Sequence, residues 1–298
     1  PIHAEQLGVT GAMLALMRDA LHPNLVQSFE GTPALIHGGP FANIAHGCSS
    51  VIATRMAMHL SEWAITEAGF GFDLGAEKFF DIKCRGAHLN VSAVVLVVTL
   101  RALKMHGHKP RNELSSPDPA AVGDGLPNLE KHIENVRKFG HEPVITLNCF
   151  ETDTAEEAAV VERYCERLGV AFAESKHHAE GGKGAVELAQ RVIDVANRFE
   201  SDPKALATIY DLEDSVPEKV RKVAQSIYGA RNVAFTKNAE KDLKEVERLG
   251  YSSLPICIAK APSSLSDDPN LSGRPRDFEV TVRNVQINSG AGFLVVLT

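Results

Sequence analysis

Within TPALIHGGPFANIAHGCSS (residues 32–50), Phe41, Asn43, His46 and Cys48 fall inside eight residues, just after His37-Gly38-Gly39-Pro40. The apolar run Ala34-Leu35-Ile36 ends at paired glycines and then releases polar groups. That is how an α/β enzyme presents a ligand site at the carboxyl end of its sheet. The competing reading is a strand-to-helix turn whose polar groups only cap the next helix. A second cluster is Lys176-His177-His178-Ala179-Glu180-Gly181-Gly182, where adjacent histidines raise the question of a metal. No third ligand stands at a fixed local spacing, so no metal site is expected. A third is Gly273-Arg274-Pro275-Arg276, two guanidiniums around a rigid turn, preceded by the acidic pair Asp267-Asp268. Phe150 lies just past an apolar run at 143–147, where open α/β sheets bind ligands.

These groups need elements to hold them. Leu7, Met13, Leu14, Met17 and Leu21 recur at helical spacing and predict a helix over 5–22. Apolar runs at Ala34–Ile36, Trp63–Ile65 and Ala93–Thr99 read as strands, with a helix near 49–61. Runs buried on both faces and alternating with helices indicate a parallel sheet. Residues 107–127, rich in proline and glycine, read as a linker. A second α/β unit follows: helix 128–139, strand 143–147, helix 154–168, strand 170–173 and helix 185–199. A third has helices near 216–228 and 237–249, strand 255–259, and strands from the alternation in 278–297. The expected fold is α/β. An incomplete parallel-sheet, nucleotide-type domain (1–106) precedes smaller α/β (107–200) and α+β (201–298) domains.

Composition excludes several classes. A net charge of −7 over 298 residues argues against a general nucleic-acid binder, which needs clustered Lys and Arg. No apolar run approaches the roughly 18 residues of a membrane-spanning helix, and no signal peptide opens the chain. Five widely spaced cysteines include no Cys-x-x-Cys pair, which fits neither zinc nor a disulfide scaffold and suits a reducing cytoplasm.

Longer blocks carry a resemblance. They include 32–50, Thr66–Gly71, Asp73–Arg85 (DLGAEKFFDIKCR), Arg101–Gly107, Asn128–Asn135, Glu180–Gly184 and Gly273–Pro275. In order and over about Gly8 to Thr298, the chain resembles formate–tetrahydrofolate ligases, which join formate to tetrahydrofolate at the expense of ATP. The resemblance implies ATP with Mg2+ and tetrahydrofolate as ligands, and self-association into homotetramers. The charged groups of the best-matched blocks could hold formate, phosphate or a monovalent cation.

Residue by residue, the resemblance implies a folate cleft with Phe41 beside it and Phe150 stacked on the pterin. His178 stands where the family usually has Trp, and Glu174 where it often has Leu. It implies that Arg274, Pro275 and Arg276 border the adenine, with Asp267 and Asp268 orienting the arginines. No Gly-x-x-x-x-Gly-Lys-Ser/Thr loop occurs, since Lys183 is followed by Gly184. The phosphate-loop lysine and the arginine that would hold formyl phosphate are thus expected outside this chain, and no residue here is assigned a catalytic role. The expectation is a portion of the enzyme that is inactive alone. The alternative is a non-catalytic folate- or nucleotide-binding or assembly module.

Overall fold

The structure, a computed structural model, describes residues 2–38 and 45–298, so Phe41 and Asn43 lie outside the described residues. The chain divides into two compact units: 1–40 with 48–67, and 41–47 with 68–298.

In the first unit, β1 (Asn24–Gln27) and β2 (Pro33–Ile36) form an antiparallel hairpin. Gly31, at φ 86°, makes its turn. The helix Val51–Leu60 starts at Ser50, whose Oγ accepts the Ala53 N–H at 3.0 Å. His37 joins these parts. Its Nε2 lies 2.8 Å from the Ala20 carbonyl oxygen, and its Nδ1 lies 2.6 Å from Ser50 Oγ. The bonding pattern makes Nε2 the donor and Nδ1 the acceptor. His37 therefore serves the turn that caps the helix. The helix expected over 5–22 is interrupted, with an α-helix only at Thr10–Met17. Gly8, at φ 69°, ends the first short turn. Residues 63–65 form no strand among the described residues.

The second unit is a mixed α/β structure. Its main sheet is parallel, ordered β3 (Val94–Val98), β4 (Pro143–Asn148), β5 (Ala171–Ser175). Val144, Ile145 and Leu147 of the central strand are wholly buried. That explains an apolar run without alternation. Helix Ala155–Leu168 links β4 to β5, and its Val161 and Cys165 join Leu100, Val122 and Ile133 in the core. A two-stranded parallel sheet pairs β6 (Asn232–Phe235) with β8 (Glu279–Val282). In a third sheet, β10 (Phe293–Leu297) runs between β7 (Ile256–Ala259), parallel, and β9 (Asn284–Asn288), antiparallel. No helix among the described residues is long and apolar enough to cross a membrane.

The second part of the stretch expected as a linker is helix. Pro119–Lys138 is one α-helix with Pro127 inside it. Asp118 caps it, accepting the Ala121 N–H at 2.9 Å, and Pro119 occupies the first turn, where its missing N–H costs nothing. Two glycines of the stretch, Gly107 and Gly125, have a packing reason. A Cβ on Gly125 would stand 2.0 Å from the Leu103 carbonyl oxygen, and one on Gly107 2.0 Å from that of Ala121. The helix Leu100–His106 therefore packs on Pro119–Lys138 with backbone almost touching backbone.

That contact yields a paired prediction. Gly123 has open space where Gly125 has backbone. Gly125→Ala should lower unfolding free energy by about 2–3 kcal/mol, as overpacked sites do. Gly123→Ala should leave it equal or raise it by up to about 1 kcal/mol through helix propensity. Urea melts of both variants check this; equal effects would contradict the close approach.

Candidate functional site

Three parallel strands release their loops at one edge of the main sheet. Val98 of β3 pairs in register with Leu147 of β4, and Asn148 with Ser175 of β5. The residues just beyond thus become neighbours. Arg101 is the second residue of the helix after β3, Leu100–His106, which Thr99 caps by accepting the Ala102 N–H at 3.1 Å. Phe150 follows β4 in a turn closed in both directions. Its N–H donates to Asp153 Oδ2 at 2.9 Å, and its carbonyl accepts from Asp153 N at 3.0 Å. Phe150 is 42% exposed, and the Arg101 guanidinium carbon lies 5.0 Å from its ring centroid. Glu174 closes the row on β5, half-buried, with Lys176 Nζ 3.4 Å from its carboxylate. Burial first, then Glu174, raises the nearby Cys149 thiol above its usual range. An exposed aromatic ring beside a guanidinium, one strand away from a half-buried carboxylate, suits a flat, polar heteroaromatic ligand.

His178 lies on the short exposed helix His177–Glu180, directly after this edge. Its neighbour His177 is tied down by Ser175, Nδ1 to Oγ at 2.8 Å. Close packing sets where this helix starts: Lys176 N–H donates to the Gly184 carbonyl, and a Cβ on Gly184 would strike Lys176 backbone at 2.6 Å. Among the described residues no group of three or more His, Cys, Asp or Glu is placed to hold a metal ion.

The arginine turn is a separate feature. Gly273, at φ 72°, donates its N–H to His106 Nδ1 at 3.1 Å and accepts from Asn128 Nδ2 at 2.7 Å. This pins the turn to the two closely packed helices. Burial lowers the His106 pKa to about 4, which keeps it neutral and able to accept. Arg274 is not oriented by Asp267 and Asp268. Its partners are Glu134 at 2.8 Å and Glu130 at 3.8 Å, both on the helix Pro119–Lys138. Asp267 instead accepts the Thr281 N–H, and Asp268 that of Asn270. The reason is reach: Glu130 and Glu134 lie one helical turn apart on the helix against which Gly273 docks. No local sequence signal announces a pairing over 140 residues. Arg274, Pro275 and Arg276 rim a recess of about 310 Å³ whose other walls include Lys131, Glu134 and Tyr228. Burial brings the Lys131 pKa down to about 8. Its amine donates to Asn135 Oδ1 at 2.8 Å and the Ser226 carbonyl at 2.7 Å.

Beneath lies a layer of buried charge from the block 73–85. Its two segments, Phe72–Ala76 and Phe79–Cys84, wind as π-helical turns. Asp73 and Lys260 form a buried pair at 2.6 Å, and the Lys260 amine sits 5.0 Å from the Tyr228 ring centroid. Burial alone would raise Asp73, but Lys260 and His132 outweigh it and leave its pKa lowered. Glu77 and Asp81 are wholly buried one helical turn apart. Neither Glu77 carboxylate oxygen nor Asp81 Oδ2 has a hydrogen-bond partner. Burial, then Asp81, pushes Glu77 well above the usual carboxylate range. Burial raises Asp81 to about 6, although Glu77, the Ile209 N–H and Arg85 pull it down. A proton shared by the pair removes one of the two buried charges.

Compared with known families, the chain matches along residues 1–298 a family model described as formate–tetrahydrofolate ligase.

The shared proton has a pH signature. Folded-state pKa values raised above unfolded ones near 4 mean a contribution that is complete at low pH. It is lost as pH rises through the folded values, about 6 for Asp81. Glu77→Gln supplies a permanent donor in place of the proton. Between pH 5 and 7.5 the parent should therefore lose stability relative to Glu77→Gln, measured as urea midpoints at each pH. A constant difference between the two would contradict the shared proton.

Proposed function

The chain belongs to the formate–tetrahydrofolate ligase family, and from that premise we propose that it supplies the folate cleft and the adenine-side turn of an enzyme making 10-formyltetrahydrofolate. The observation that carries this is the match over the whole of residues 1–298. The site geometry supports it. Phe150, Glu174 and His178 stand at or just after one sheet edge, and Arg274, Pro275 and Arg276 rim one recess.

The reaction proposed has two balanced steps. A formate oxygen attacks the γ-phosphorus of ATP, giving formyl phosphate and releasing ADP. N10 of tetrahydrofolate then attacks the formyl carbon, phosphate leaves, and the nitrogen loses its proton. Mg2+ enters with the nucleotide and neutralises phosphate charge. A monovalent cation and self-association into homo-oligomers belong to this reading, as does a cytoplasmic setting. This chain's part is to hold the pterin. Phe150 offers a ring face, worth about 0.5–1.5 kcal/mol in stacking beyond area burial. His178 closes the cleft with imidazole where the family usually has indole. Phe41 belongs to the same cleft in this reading. Arg274, already neutralised by Glu134 and Glu130, acts as a fixed wall, and exposed Arg276 is the freer cation.

Two measurements test this. Titration of the chain with 5-formyltetrahydrofolate should show binding that His178→Trp tightens, because indole adds stacking area at about 25 cal/mol per Å2. Unchanged affinity would remove His178 from the cleft. Titration with Mg-ATP should give affinity weaker than micromolar, because the sequence contains no Gly-x-x-x-x-Gly-Lys-Ser/Thr motif to cradle the phosphates. Micromolar binding would overturn that division of labour.

A further inference from the structure

One contact at the sheet edge has no assigned role. Arg101 is exposed, and among the described residues no carboxylate pairs with it. Its guanidinium carbon instead lies 5.0 Å from the Phe150 ring centroid. Both partners sit on fixed backbone. Arg101 lies three residues past Val98 and Phe150 three past Leu147, and those two residues are register partners in adjacent parallel strands. The Thr99 cap anchors one segment and the reciprocal Phe150–Asp153 bonds anchor the other.

A cation on one face of an aromatic ring does two things. It is attracted by the ring quadrupole, so it holds the ring's orientation. It also occupies that face, leaving the opposite one for a ligand. The charge draws π-density toward itself, so the open face favours an electron-rich partner. A tetrahydropterin, with its amino-substituted pyrimidinone, is such a partner. We propose that Arg101 is a positioning residue for the folate substrate, acting through Phe150 to orient the ring and bias its open face toward reduced pterins. The proposal rests on Phe150 being the pterin-stacking residue.

The test is a double-mutant cycle on the whole chain, with binding of 5-formyltetrahydrofolate read by titration calorimetry. Arg101→Met should weaken binding about two- to fivefold, the range of an exposed cation–π contact. Arg101→Lys should restore most of the loss. In a Phe150→Leu background, Arg101→Met should cause no further loss, since the effect runs through the ring. Pteroate, which lacks the glutamyl carboxylates, should lose affinity by the same factor as its glutamyl counterpart folate. Additive losses in the cycle, or a loss confined to glutamyl ligands, would overturn the proposal and make Arg101 a simple carboxylate partner. A parent chain that binds no reduced folate, or Phe150→Leu binding as tightly as the parent, would sink the cleft reading and the proposal together. A weakened Phe150→Leu beside an unaffected Arg101→Met would overturn the proposal alone.

Discussion

The Glu157 carboxylate holds together the segments on which the candidate cleft depends. One of its oxygens accepts from Lys104 Nζ at 2.9 Å and the Asp118 N–H at 2.8 Å. The other accepts the Thr154 N–H at 3.2 Å and the Thr154 hydroxyl at 2.9 Å. Lys104 lies one helical turn after Arg101, and Thr154 four residues after Phe150. The two sides of the guanidinium–ring contact are therefore tied to one buried anion. Burial would raise the Glu157 pKa, but the Asp118 N–H, Lys104 and Thr154 outweigh it and the group is held ionised. A buried charge stripped of one partner costs about 3–5 kcal/mol, so these segments are not free to drift independently.

The same region carries the second feature. Asp118 caps the helix Pro119–Lys138, which packs against Leu100–His106 at glycine distance. Gly273 docks on both helices through His106 and Asn128. The arginine turn and the sheet edge thus share one rigid support, and the turn's charge is balanced by glutamates on that support. In such a scaffold electrostatics does more to position groups than to stabilise the fold. The half-exposed pairs contribute little, while Glu157 and the Asp73–Lys260 pair are costly only if broken.

Much of the fold was legible because local signals agreed. The helix over 154–168 and the uninterrupted apolar run of β4 read correctly from the residues. Pro119–Lys138 did not, because its prolines and glycines look like linker punctuation. Pro119 in fact suits a helix start, and Gly125 is dictated by a neighbouring backbone that the sequence does not display. The run Trp63–Ile65 has strand composition but no strand pairing among the described residues, and composition cannot supply a partner. At the site, the family resemblance pointed to Phe150, Glu174 and His178. The Arg101–Phe150 contact needed the β3–β4 register, and the Glu134 clamp on Arg274 needed a contact across 140 residues.

The central claim is that the carboxyl edge of the main sheet is the folate cleft. A crystal structure of the chain with 5-formyltetrahydrofolate tests it most directly. The account predicts the pterin ring stacked on the face of Phe150 opposite Arg101, within reach of Glu174. Folate bound elsewhere, with the Phe150 ring bare, would contradict it.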